Sequence, residues 1–349
     1  MMTMPTVDPP EFRPDAMTQH TSTTSTSPTG LTASVAVVTY ERPAFVSRCL
    51  EQLVVQTVAP LEIMVVDSSP GDDTARLVRE RFPSVRYEVC PEGRGATATA
   101  RNISYALTHG DVLAFIDDDA FAEPDWLERL LPLYADPTVG GVGGRQIRKQ
   151  PGELEEGVDA IGLLRPDGTL TGNFAADSGC PVSVDHLLGA NMTFRRSVLD
   201  QIGGIRDGYD GTCIREETDL CLRVAHAGFR LVYTPDAVVE HVAAPYAKGE
   251  RFDLRYAYWA QKNHVILLIR NFGATRPIVR AYLSTSLRTQ AHDFTTRMGR
   301  AAHRARGLHV VGAARAAAAA MARTAVFAAA SVTGLWAGVR MSGDDRRRH

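Results

Sequence analysis

Val112-Leu-Ala-Phe-Ile-Asp-Asp-Asp119 decides how this chain folds. An apolar run of five residues stops on three carboxylates, Asp117, Asp118 and Asp119. A run of that length fits a strand buried on both faces, as in a parallel sheet covered by helices. Ligands of open α/β sheets gather outside the carboxyl ends of such strands. If the strand continues through the triplet, Asp117 and Asp119 share one side and Asp118 takes the other, because side chains alternate. Two carboxylates together, with no basic residue beside them in sequence, invite a hard divalent cation. A polar loop or a helix N-cap before Pro124 accounts for the same acids equally well. The flanking chain has to decide.

Toward the amino terminus the pattern alternates. Ser34–Tyr40 is a strand, and Pro43 opens a helix whose Phe45, Cys49 and Leu53 form one stripe. Leu61–Asp67 is a second strand ending on an acid, followed by a Ser/Pro/Gly/Asp turn and a helix over Thr74–Arg81. Val85–Cys90 is a third strand, and a helix then runs through Arg101 and Asn102 to the fourth strand at Asp111–Ile116. Strands alternating with helices predict an α/β fold with a doubly wound, mostly parallel sheet and flanking helices. Asp67 and the Asp117–Asp119 run both end strands, so both can face one cleft.

On the carboxyl side the spacing predicts a helix from Trp126 to Tyr134 and a strand over Arg145–Lys149. Pro151–Asp185 reads as an ordered insertion or a mobile loop. A short helix ends at Gly203-Gly204, a longer one covers Glu216–Ala227, and Arg230–His241 offers two short strands around Pro235. Residues 1–30 carry too little apolar surface to offset ordering entropy and are expected to be a disordered Thr/Ser/Pro-rich tail.

The chain has 349 residues, enough for one large domain or two modest ones. Its net charge of −2 is unevenly spread. From Asn271 to His349 there are 13 Arg, no Lys and 3 acidic residues, a balance of +10, leaving −12 for the rest. A basic tail on an acidic body points to an anionic neighbour, a membrane or a nucleic acid. Five cysteines without a C-x-x-C pair argue against a disulfide framework or a zinc site and fit a reducing compartment. The amino terminus shows no basic and apolar signal-peptide pattern. No G-x-G-x-x-G follows the first strand and no Walker A sequence occurs, so dinucleotide binding and ATP hydrolysis lose their basis.

Laid out in order, these segments resemble a family 2 glycosyltransferase of the GT-A nucleotide-sugar fold, from about Ser34 to Phe272. Val37-Val-Thr-Tyr-Glu-Arg42 resembles the family's first strand and nucleotide-binding turn, and Val65-Val-Asp67 its second strand. Gly93-Arg-Gly95 with Ala100-Arg-Asn102 resembles the loop and helix before the metal strand, and Phe115-Ile-Asp-Asp-Asp119 the D-x-D region. Gly189-Ala-Asn-Met192, Gly203-Gly204 and Arg215-Glu-Glu-Thr-Asp-Leu-Cys-Leu-Arg223 resemble the segments that lead into and form the catalytic helix. One departure stands out: Glu217 occupies the place where the family more often has the aspartate taken as catalytic base.

The resemblance implies an inverting transfer of a sugar from a nucleoside-diphosphate-sugar donor to a hydroxyl acceptor, aided by Mg²⁺ or Mn²⁺. It implies that Asp119 meets the metal, that Asp117 faces the nucleotide sugar or shares the metal, and that His241 supplies another ligand. Glu217 takes the base role and Glu216 competes for it, since a base must lie within hydrogen-bond reach of the acceptor. Acids in the first turn of a helix also serve its dipole, so either can be merely structural. Asp219 and Arg223 are spaced to pair along one helix face. Thr39, Glu41, Asp67, Arg94 and Asp118 are the nucleotide-side candidates, with Arg94 fitted to a diphosphate. Two other functions stay open: a nucleotidyltransferase, which lacks its basic Gly-rich loop here, and a non-catalytic sugar-nucleotide-binding scaffold at the membrane.

The 31–272 domain is followed by a basic, Ala/Arg-rich helical extension over 273–349. Tyr256, Tyr258 and Trp259, flanked by Lys262 and Arg270, resemble an interfacial arrangement. Thr324–Val339 is a stretch of 16 residues without charge, short of the roughly 20 needed for an unassisted span. An Ala-rich core helix, a peripheral anchor and a marginal span all stay open for it; the favoured arrangement is a cytoplasmic enzyme whose tail lies on the anionic face of a membrane, near a lipid-linked or envelope acceptor, or a secondary metabolite. No nucleic-acid reading motif accompanies the tail.

Overall fold

The structure, a computed structural model, describes residues 29–148, 157–211, 214–242, 253–306 and 310–348. The expected disordered tail falls almost wholly outside the described residues, as do Lys149 and Cys213. The amino-terminal half runs β1 (Ala33–Thr39), α1 (Pro43–Leu53), β2 (Glu62–Asp67), α2 (Asp73–Arg81), β3 (Arg86–Val89), α3 (Thr97–Leu107) and β4 (Val112–Asp117). It continues through β5 (Ala120–Ala122), α4 (Trp126–Leu130), β6 (Val139–Arg148), β7 (Val182–Val184), β8 (Met192–Arg195), α5 (Arg196–Ile202), α6 (Glu216–His226) and β9 (Arg230–His241). Three helices close the chain: α7 (Leu254–Phe272), α8 (Pro277–Arg306) and α9 (Val310–Arg348).

The nine strands among the described residues form one sheet in the order β3-β2-β1-β4-β8-β6-β9-β5, with β7 also on β9. β3, β2, β1 and β4 are parallel, as right-handed strand–helix–strand units require. β8 then enters antiparallel between β4 and β6, and β6 and β9 run parallel to each other. β4 sits in the middle and is covered on both faces. Ala114 and Ile116 join one apolar cluster with Val46, Leu50 and Trp126, while Leu113 and Phe115 join the opposite one with Val198, Leu220 and Val224. That two-sided burial is why the strand reads as a continuous apolar run.

Beyond β4 the structure revises several local expectations. β6 starts at Val139, so the glycine run 140–144 lies inside the strand rather than before it. The physical reason is crowding: a Cβ on Gly144 would stand 1.9 Å from the Ala237 carbonyl oxygen. β9 is one 12-residue strand, not two. Pro235 is accommodated by a bulge, as the pairing jumps from Gly144↔Thr234 to Arg145↔Val238. From residue 157 the insertion is ordered; it carries a short 3₁₀ turn and β7 and folds back on β9. Asp219 and Arg223 do not pair: Arg223 donates to the carbonyls of Gly204 and Ile202, and Asp219 accepts from Tyr209 and Asn271.

The second half of α7 is packed inside the protein. Val265, Ile266, Leu267, Leu268 and Ile269 are fully buried, packed against α8 and α9. Its Arg270 is held at 2.8 and 2.9 Å by the Asp345 carboxylate of α9, and Tyr258 bonds Thr333. Of the aromatic and basic residues that suggest a membrane belt in sequence, Tyr258 and Arg270 reach α9, while Trp259 and Lys262 meet Gly211 and Asp210 of the loop before α6.

Candidate active site

The carboxyl end of β4 carries Asp117, and the turn after it carries Asp118 and Asp119. β5 pairs with β9 so that Ala120 lies opposite His241. This register delivers a histidine from 122 positions away onto Asp119, with Nε2 3.1 Å from Oδ1. Ligand atoms of Asp117, Asp119 and His241 all fall within 4.8 Å of one another. Two carboxylates and an imidazole make a donor set suited to a divalent transition ion. Among the described residues the buried His241 Nδ1 has no hydrogen-bond partner. Asp118, in the turn past the end of β4, accepts from the Thr39 hydroxyl at 2.7 Å. Burial raises its carboxyl to about 7, against the pull of Arg42.

The triplet is less free of cations than its sequence neighbours imply. Arg42, at the start of α1, sits 3.1 Å from Asp118 and 3.5 Å from Asp119. Arg101, on the buried side of α3, sits 3.2 Å from Asp117 and also grips Glu216 at the start of α6. Arg101 and Glu216 have side chains only 3% exposed. Removing one partner of such a buried pair leaves an uncompensated charge, at a cost of about 3–5 kcal/mol. Arg101 therefore ties the end of β4 to the acidic helix, and a third donation, to the Gly189 carbonyl, ties in the Gly-Ala-Asn segment. Asn191 of that segment bridges Trp126 to the Ala237 carbonyl.

Glu216 and Glu217 are adjacent but differently placed. Glu216 is buried, and burial pushes its carboxyl up despite Arg101. Glu217 is partly exposed, accepts the Arg215 backbone N–H at 3.1 Å, and is also raised by burial. Arg215 itself sits at φ 88, a left-handed conformation rare for a residue with a side chain. Asp219, one helical turn on, is enclosed by Tyr209, Asn271 and Arg206.

The nucleotide-side candidates separate into engaged and open groups. Asp67 is fully buried beside Thr39 in the β1–β2 register; it accepts from the Ser69 backbone and hydroxyl and from the Tyr87 hydroxyl. Thr39 is bound to Asp118. Glu41 is exposed at φ 54, its N–H on the Ser69 hydroxyl. Arg94 is exposed and lines a cleft of about 250 Å³ with Gly95, Thr99, Asp207, Tyr209 and Glu216. The cleft thus opens between the loop before α3 and the loop before α6.

The family model described as glycosyl transferase family 2 matches residues 34–203. A glucosyl-dolichyl phosphate glucuronosyltransferase of Haloferax volcanii is 30% identical over 226 residues, 60% of this chain and 68% of that protein. The chain belongs to glycosyltransferase family 2. An N-acetylglucosaminyl-diphospho-decaprenol L-rhamnosyltransferase of Mycobacterium tuberculosis is 28% identical over 74% of this chain and 91% of that one. An O-antigen chain rhamnosyltransferase of Salmonella typhimurium is 24% identical, covering 60% of this chain and 65% of its own. Among solved structures, a mannosyltransferase from Pyrobaculum calidifontis in complex with GDP-Man and Mn²⁺ matches with a TM-score of 0.51. It is 21% identical over 90% of this chain and 88% of that chain, a likeness of fold. GalNAc-T7 with UDP, GalNAc and Mn²⁺ matches at 0.54 and 17% identity over 68% and 47% of the two chains. The fold is GT-A, as the motif order implied.

Within this glycosyltransferase, sequence reasoning overlooked Arg42, Arg101 and Tyr87 as site residues. Arg101 alone left a signal: α3 buries Ala100, Arg101 and Ser104, so an arginine occupies the face that otherwise holds small residues. Arg42 and Tyr87 left none, because their partners Asp118 and Asp67 come from other strands.

Proposed function

We propose that this family 2 enzyme transfers a sugar from a nucleoside diphosphate to a hydroxyl of a lipid-linked envelope acceptor, with inversion and with Mn²⁺ as its cation. The observation that carries this is the convergence of Asp117, Asp119 and His241, with Arg101 linking Asp117 to Glu216 on the wall of the Arg94 cleft. Asp117 and Asp119 fit any hard cation, whereas the imidazole favours Mn²⁺ over Mg²⁺. The chemistry a cation supplies there is compensation of charge on the departing diphosphate. In this reading Arg94, exposed on the cleft wall, donates to the diphosphate oxygens. Glu216 is committed to Arg101, which leaves Glu217 to take the proton of the acceptor hydroxyl. A single base facing the leaving group performs one displacement, and one displacement inverts the anomeric carbon.

The lipid-linked acceptor rests on the named substrates of the archaeal and mycobacterial relatives and on the character of α9. Among the described residues, Val310–Arg347 is the one helix apolar enough to cross a membrane by length and composition, with mean hydropathy 1.4 and 11% burial in its most apolar window. The experiment is nucleoside diphosphate release from UDP-, GDP- and dTDP-sugars, with and without polyprenyl-diphosphate-linked sugar. Release from one donor class that rises with acceptor is expected. Binding without turnover for every donor, across a broad acceptor panel, would instead favour the scaffold.

A further inference from the structure

We propose that Asp345, in the last turn of α9, is a positioning residue for the cleft wall formed by Asp207, Gly208, Tyr209 and Asp210, a role that rests on the cleft's being the transfer site. The wall loop has no regular secondary structure of its own. It is held from behind by the carboxyl-terminal helices. Arg270 of α7 donates to the Asp207 carbonyl and lies over the Tyr209 ring, its guanidinium carbon 5.4 Å from the centroid. Gly208 touches the Met341 side chain of α9, close enough that a Cβ there would meet Met341 at 2.9 Å. Asn263 of α7 donates to the Asp210 carbonyl at 3.1 Å.

Arg270 can hold that loop only while its own orientation is fixed, and Asp345 fixes it. The carboxylate accepts both Nε and Nη2 in a two-pronged pair, leaving Nη1 for the Asp207 carbonyl. The pair is nearly shut off from water, with side-chain exposures of 5% and 16%. Asp345 also lies 3.7 Å from Arg206, whose guanidinium is 3.7 Å from Asp219 of α6. Asp219 in turn accepts from Tyr209 of the wall. One carboxylate near the end of the chain thereby reaches the wall loop and the acidic helix by two routes. Neither route touches Asp117, Asp119 or His241.

That separation makes the test. Asp345→Asn keeps the shape and weakens the charge pairing; Asp345→Glu restores the charge. In the full-length protein at a temperature where both remain folded, Asp345→Asn is expected to reduce kcat/KM for transfer about tenfold, since displacements of the order of 1 Å matter on this scale. Amide exchange over 205–211 is expected to quicken, Mn²⁺ affinity to stay at the wild-type value, and Asp345→Glu to recover most of the loss. Met341→Ala, which leaves every charge in place, is expected to change the same two readouts in the same direction by less. Unchanged kinetics and exchange in Asp345→Asn would overturn the role. So would a loss of Mn²⁺ affinity in step with activity, which marks general loosening; if Asp345→Asn does not fold, unchanged exchange in Met341→Ala overturns it alone. Should the wild type transfer no sugar, the exchange data still report on the clasp while the functional proposal fails separately.

Discussion

Glu216 and Glu217 are neighbours with the same side chain but different surroundings. Glu216 is locked to Arg101 inside the protein, whereas Glu217 is partly exposed at the first turn of α6. Burial raises the Glu217 carboxyl above its ordinary 4.5. A base acts only when ionised, so activity should rise with pH through a limb displaced upward from the usual glutamate range. The same shift means that folding takes up a proton, so this group's contribution to stability is full below its ordinary value and is lost as pH rises through the shifted one. Glu217→Gln should lower kcat by about 10²–10⁴ with Mn²⁺ binding intact. Glu216→Gln should chiefly lower the melting temperature, because Arg101 loses its partner. Near-normal turnover in Glu217→Gln, measured beside Glu216→Gln, would reverse the assignment.

At the scale of elements, what sequence shows best is a segment whose burial is local to itself. β4 and α6 declare themselves by period and by the acids at their ends. β9 does not, since Pro235 reads as a break and only the Gly144–Ala237 contact reveals a bulge within one strand. α7 misleads for a similar reason: its Tyr258, Lys262 and Arg270 contact Thr333, Asp210 and Asp345, positions remote in the chain. The apolar surface belongs to α9 instead, where Met321, Val332, Trp336 and Val339 are 55%, 65%, 66% and 52% exposed along one side. With the +10 charge of the tail, that stripe fits an anionic bilayer surface. The full-length protein should cofloat with phosphatidylglycerol vesicles, less with phosphatidylcholine, and Val332→Glu/Trp336→Glu should reduce flotation severalfold. Flotation that the double substitution leaves unchanged would place the contact elsewhere.

Over the whole molecule, the parallel half was legible because each strand there is followed by the helix that covers it. The order of the second half was not, since β8 enters antiparallel and β9 reaches β5 across more than a hundred residues. The site divides along the same line. Asp117, Asp119 and Glu217 stand out in sequence, while Arg42 and Arg101 acquire meaning only when the sheet brings them to those acids. His241 depends on both: its place at the end of a strand is visible, but its contact with Asp119 is made by the β5–β9 pairing. The most direct test of the central claim is therefore electron paramagnetic resonance of Mn²⁺ titrated into the purified protein with a nucleoside diphosphate. One bound ion is predicted, with nitrogen coupling that His241→Ala removes and binding that Asp119→Ala abolishes. Mn²⁺ bound equally well by both variants, with the nitrogen coupling unchanged, would contradict it.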